Sequence, residues 1–159
     1  MNAGHRRTAH WQTGLRFLSV LVASAAPAMA SAQAIEFRSI GEEAVVRDAP
    51  SPQGRQLFVL RAGTPLEIIV TQDGWVRVRD PEGSLSWIEG HVLVPRRTVM
   101  VSVERASIRR EAREDAAVSF EATRNVVLDL VEPAAVGWAR VRHRDGVEGY
   151  VRVSEVWGL

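Results

Sequence analysis

The feature that most limits how this chain can fold is an internal duplication. Gly74, Trp75, Arg77, Val78 and Arg79 recur as Gly137, Trp138, Arg140, Val141 and Arg142, each 63 positions later. The same offset carries Gly83 onto Gly146, Trp87 onto Tyr150 and Ile88 onto Val151. Upstream the offset is 62, matching Val46-Arg47 to Ile108-Arg109, Phe58 to Phe120, Gly63 to Asn125 and Leu66 to Leu128. One residue has therefore entered the second copy between Glu132 and Val136, the counterpart of Val70 to Asp73. A period of this length exceeds that of most solenoid repeats and suits two copies of one small domain.

Both copies read as β structure. Short apolar runs alternate with turn residues at close spacing, the pattern of a small barrel or sandwich. In the first copy, strands are expected over 44–47, 57–60, 65–70, 75–79 and 85–89. Two prolines and a glycine exclude regular structure from 48–54. Asp73-Gly74 makes a tight hairpin turn because both residues tolerate positive φ. In the second copy the strands fall at 107–109, 117–121, 126–131, 138–142 and 147–151, with a charged loop, 110–115, in place of the prolines. Asn125 stands where Gly63 stands, and asparagine is the side chain that best imitates glycine in the left-handed region. A strand at 99–103 is expected to join the copies, because Pro95-Arg96-Arg97 is a short linker.

The N-terminus has the order of a secretory signal peptide: Arg6, Arg7 and Arg16, then the apolar run 17–23, then small residues. The run is far short of the ~20 residues that cross a bilayer, so a permanent anchor is not expected. Cleavage is placed after Ala32, with Ala30 as the alternative, and ordinary secretion suits Arg6-Arg7 better than twin-arginine export. The expected organisation is thus a signal peptide over 1–32 and two domains over 33–95 and 96–159. Without the three signal arginines, 17 of the 20 basic residues face 19 acidic ones, so the mature protein is slightly acidic. A nucleic-acid partner calls for a strongly basic surface, which is missing. There is no cysteine, which rules out a lipid-anchored thiol and a disulfide framework. There is also no lysine, so every cationic contact is made by arginine.

The paired blocks Gly-Trp-x-Arg-Val-Arg, followed by a turn and an aromatic-Ile/Val strand, resemble the bacterial SH3-like domain (SH3b). The early apolar-Arg strands Val46-Arg47 and Ile108-Arg109 belong to the same pattern, as does Gly149-Tyr150-Val151. Ser86 departs from it, standing where a glycine precedes the final aromatic strand. The resemblance covers nearly all of 40–157. It implies an all-β protein of two tandem antiparallel barrels, each of about five or six strands. It further implies a non-catalytic binding module for peptidoglycan stem peptides or for an envelope protein, acting in the periplasm or outside the cell.

Five residues are singled out as ligand-binding candidates: Trp87, Tyr150, Trp75, Arg77 and Arg79. Trp87 and Tyr150 are expected to line a groove, since amphipathic rings favour sites apolar on one side and wet on the other. Arg77 and Arg79, like Arg140 and Arg142, alternate with valines and so project to one side of their strands. An arginine fork matches a carboxylate, but ordinary pairing with Glu67 or Asp129 on the neighbouring strand would serve the fold equally. Trp157 is expected to lock the C-terminal segment onto the second barrel, and Trp138 to pack within it. The first barrel, with its stiff Pro50-Ser51-Pro52 loop, is expected to carry recognition while the second supports it.

Catalysis has little to stand on. His91 and His143 are the histidines beyond the signal, and neither has a neighbour at metal-ligand spacing. A cysteine nucleophile is absent, and neither a phosphate loop nor a dinucleotide fingerprint occurs. No cofactor is expected. The competing expectation is a structural protein whose barrels pack together or dimerise without a small ligand.

Overall fold

The computed structural model describes residues 34–159, together with Met1; the segment read as a signal peptide otherwise lies outside the described residues. Fourteen strands form two antiparallel sheets of seven. The first contains β1 (Glu36–Ile40), β2 (Ala44–Arg47), β3 (Gln56–Leu60), β4 (Pro65–Gln72), β5 (Trp75–Arg79), β6 (Leu85–Glu89) and β7 (Leu93–Val94). The second contains β8 (Thr98–Val101), β9 (Arg105–Arg109), β10 (Val118–Thr123), β11 (Val127–Ala135), β12 (Trp138–Arg142), β13 (Glu148–Arg152) and β14 (Val156–Trp157). A 3-10 turn, Gly90–Val92 or Val153–Glu155, precedes the last strand of each. The strand orders, β3-β2-β6-β5-β4-β1-β7 and β10-β9-β13-β12-β11-β8-β14, are the same topology twice.

The alternating residues of these strands fill two separate cores. Val46, Leu66, Val78 and Ile88 are fully buried in the first, and Ile108, Leu128, Val141 and Val151 occupy the matching places in the second. Asn125 adopts φ 68° where Gly63 adopts φ 84°, as the sequence predicts, and both backbone N–H groups donate to the strand that opens their barrel. The added residue of the second copy is taken up within β11. The β4–β5 pairing slips once, between Ile68 and Val70. The β11–β12 pairing slips at the matching place and again between Glu132 and Ala135. Both hairpins still close on two positive-φ residues, Asp73-Gly74 and Val136-Gly137. Holding Val136 at φ 50° is a cost that a β-branched side chain bears poorly.

Two expectations are corrected here. The strand at Thr98–Val101 does not merely join the copies: it opens the second barrel as β1 opens the first, pairing with β11 as β1 pairs with β4. Its counterpart β1 escaped notice because Glu36–Ile40 shares almost no residue types with it. Trp157 also does more than expected. Its backbone pairs with β8 of the second barrel, but its ring stands edge-on to Phe37 of the first, with centroids 5.3 Å apart.

That contact belongs to a junction that fixes the barrels to each other. The hydroxyls of Ser39 and Thr98 are 2.7 Å apart, both residues being about 1% exposed. Thr98 donates its backbone N–H to Ser39 Oγ and its hydroxyl to the Gly63 carbonyl. Arg97 donates to the Gly158 carbonyl and lies over the Phe37 ring. A Cβ on Gly158 would stand 2.8 Å from Pro65 Cβ and from the Thr98 carbonyl, so this position requires glycine.

Three outcomes follow for stability. Trp157→Ala removes the Phe37–Trp157 contact between the barrels, and calorimetry is expected to resolve one unfolding transition for the unsubstituted protein and two for the variant. Gly149→Ala places a methyl 2.5 Å from Ile108 Cγ2 and 2.7 Å from the Arg109 carbonyl. It should destabilise the protein by about 1–3 kcal/mol in urea melts. The matching Ser86 already carries a buried hydroxyl with no hydrogen-bond partner, so Ser86→Ala should be neutral or stabilising.

Candidate functional site

The outward face of each barrel is built on one row of directly opposed residues. In the first it runs Gln56, Arg47, Trp87, Arg77, Val70 across β3, β2, β6, β5 and β4. In the second it runs Val118, Arg109, Tyr150, Arg140, Glu132. Opposed residues share a sheet face, so both rows set an aromatic ring between two arginines. Trp87 and Tyr150 are both half-buried.

The inner arginine of each row serves the fold. Arg47 Nη1 donates to the Gly54 carbonyl at 2.8 Å, and Arg109 Nη1 donates to the Ala116 carbonyl at 2.8 Å. These bonds tie down the loop that follows each apolar-Arg strand, which explains why that dipeptide recurs. In the first barrel the loop is closed further by Asp48, whose Oδ1 accepts from the Arg55 backbone N–H.

The outer arginines differ between copies. Arg140 is held by Glu132 at 3.2 Å and Glu148 at 2.7 Å, and Arg142 by Glu148 at 2.7 Å. In the first barrel, Val70 stands in place of Glu132 and Leu85 in place of Glu148. Arg79 finds Glu67 at 2.7 Å, as the sequence allows. Arg77 has no carboxylate within salt-bridge distance among the described residues. It lies exposed beside Trp87, with Val70 and Leu85 exposed around it. Asp129, expected to serve an outward arginine of β12, pairs instead with Arg96 at 2.8 Å.

Of the five candidates, Trp87, Arg77 and Arg79 therefore share one face of the first barrel, and Tyr150 holds the matching place in the second. Trp75 does not join them as a surface group: the residue is 8% exposed, as is Trp138. Both stand on the outward side of the alternation and are nevertheless covered. Over Trp138 lies the Arg152 guanidinium, 5.0 Å from the ring centroid, and Glu114 pairs with that arginine. These two tryptophans are packing residues, equivalent in each copy. Glu148 is the residue the sequence did not single out, because a glutamate in an alternating strand carries no signal until its neighbours across β12 are known.

The surrounding charges follow from this geometry. The Arg142 and Arg140 hydrogen bonds hold the Glu148 carboxyl below the usual carboxylate range, and Arg140 is raised in turn. Asp145 is lowered first by the Val147 backbone N–H and then by His143, which stands 2.9 Å away. Among the described residues no cluster of histidines and carboxylates could hold a metal ion, and no helix is long and apolar enough to cross a membrane.

This duplicated fold matches a known family. The model of the bacterial SH3 domain covers residues 41–94 and again 102–158, and the chain belongs to that family of binding modules. No curated protein matches it. Among solved structures it is similar to NlpC2 of Trichomonas vaginalis, with 18% identity and a TM-score of 0.38 over 81% of this chain and 50% of that one. NlpC1 of the same organism gives 18% and 0.37 over 90% and 51%. An NlpC/P60 family protein from Bacillus cereus gives 14% and 0.36 over 77% and 56%. The chain thus spans about half the length of each.

A carboxylate whose folded value is depressed stabilises the fold above its unfolded value, and that contribution is lost as pH falls through the folded value. Acidification should therefore release Arg140 and Arg142 from Glu148. Part of the loss in melting temperature between about pH 7 and about pH 3 is expected to vanish in Glu148→Gln.

Proposed function

We propose that this protein is an exported, non-catalytic binding module of the bacterial envelope, and that its ligand-binding face is the outward face of the first barrel around Trp87 and Arg77. The observation that carries the reading is the unequal charge of the two copies. Four outward arginines occupy equivalent strand positions, and Arg77 is the one without a carboxylate partner among the described residues. An arginine left unpaired beside an amphipathic ring and two exposed aliphatic side chains is a recognition pattern for a carboxylate next to apolar groups. A peptidoglycan stem peptide carries those groups, and so does an acidic segment of an envelope protein.

The composition of the N-terminus supports export, since residues 1–32 combine arginines, an apolar run and small residues without any acid. The second barrel supports the first: its arginines are occupied, and its junction with the first barrel holds the recognition face on a rigid base.

Pull-down of the mature protein on purified sacculi distinguishes the two ligands, since retention assigns the stem peptide and its absence assigns a protein segment. Trp87→Ala and Arg77→Ala are each expected to weaken binding of the assigned ligand with little change in melting temperature. Trp138→Ala should instead lower stability by roughly 3–5 kcal/mol, as for a buried ring. Unfolding by Trp87→Ala, or loss of binding through Tyr150→Ala alone, would overturn the assignment to the first barrel.

A further inference from the structure

The first barrel has a second surface that this reading does not use, the free edge of β3. Among the described residues β3 pairs on one side, with β2, so its other side presents unpaired backbone donors and acceptors. Leu57, Phe58 and Val59 are all exposed, at 39%, 41% and 58%. Long apolar edges are a liability that proteins ordinarily blunt with charge or cover.

The second barrel does both at the matching edge. Glu121 replaces Val59 and pairs with Arg105 at 2.9 Å. Ser119 replaces Leu57 and donates to the Glu148 carbonyl at 3.0 Å, drawing β10 toward β13. Phe120 replaces Phe58 and is covered by the His143 ring, with centroids 5.8 Å apart. None of these devices exists in the first barrel. Asp80 stands in place of His143 and turns inward, its Oδ1 accepting from the Ser84 backbone N–H at 2.7 Å. Ser86, buried where the second barrel has Gly149, puts a side chain at the position where β10 closes on β13.

The charges around the edge select its occupant. Arg55 and Arg61 flank β3; Arg55 lies 3.4 Å from Asp48, and Arg61 is exposed with no ion pair among the described residues. Antiparallel pairing of two β3 strands about Phe58 would set each Arg55 against the partner's Arg61, an unfavourable pairing of like charges. Beyond Arg61 the edge runs into a cleft of about 390 Å³ between the barrels, lined by Val59, Leu60, Arg61, Glu82, Met100 and Val127 among others. We infer that the β3 edge receives an extended segment of a partner protein by strand addition. That segment would carry alternating apolar residues and a carboxylate at the end that meets Arg61.

The test uses the mature protein and two blocked peptides, Asp-Val-Thr-Val-Thr-Val-Thr and the same sequence beginning with Lys. The acid-headed peptide should shift the amides of Gln56–Leu60 and slow their hydrogen exchange, and the Lys-headed one should bind ~10-fold more weakly. Val59→Glu, which copies the second barrel's edge at an exposed position, should weaken binding ~10-fold without changing the melting temperature. Trp87→Ala should leave it intact, which separates this edge from the face around Arg77. No change at the β3 amides, equal binding of the two peptides, or insensitivity to Val59→Glu would overturn the inference. So would a concentration-dependent dimer, seen by sedimentation, that Val59→Glu disperses.

Discussion

The buried contact between Ser39 and Thr98 is the constraint on which the rest of the molecule rests. Domains of about 60 residues bury barely enough surface to fold alone, and there is no cysteine to add a covalent tie. Two hydroxyls taken out of water must satisfy each other or lose the free energy of solvation. Here they do so across the boundary between the barrels, with the Gly63 carbonyl as a third partner. The bonded geometry brings β1 beside β8, which in turn seats Trp157 against Phe37 and leaves no room for a Cβ at Gly158.

Within that frame the copies have been put to different uses by few changes. Glutamates at 132 and 148 neutralise one face, whereas Val70 and Leu85 leave Arg77 on the other without a carboxylate partner among the described residues. A histidine ring packs against Phe120 at one edge, whereas the aspartate at the matching place of the other barrel folds into its own turn. Each of these substitutions is local and leaves the strand order intact. This is why duplicated barrels can diverge in surface chemistry while their cores keep the same pattern of Val, Ile and Leu.

Much of the architecture was legible because its causes are local. Asp73-Gly74 and Asn125 announce their turns through positive φ, and the valines flanking Arg77 announce a half-buried strand. Even the extra residue could be located, although its accommodation as a second slip in β11 could not. The first strand was missed because Glu36–Ile40 has neither clean alternation nor a recognisable copy, and it is held by long-range pairing with β4 and β7. The recognition face was half legible. Trp87 and Arg77 follow from strand alternation, but whether an arginine is paired depends on which residues the two neighbouring strands set beside it. Trp75 misled because outward alternation ordinarily means exposure. Its burial reflects what lies over it, which periodicity does not report.

The Phe37–Trp157 contact also sets the order in which the protein can be completed. Among the described residues Phe37 lies in the first strand and its partner ring in the last, so the first barrel cannot acquire its final stability until the second has closed. A chain emerging in sequence would hold a nearly finished first barrel with one apolar ring uncovered, waiting on the strand that arrives last. The final packing of the first domain is thereby timed by the end of the second.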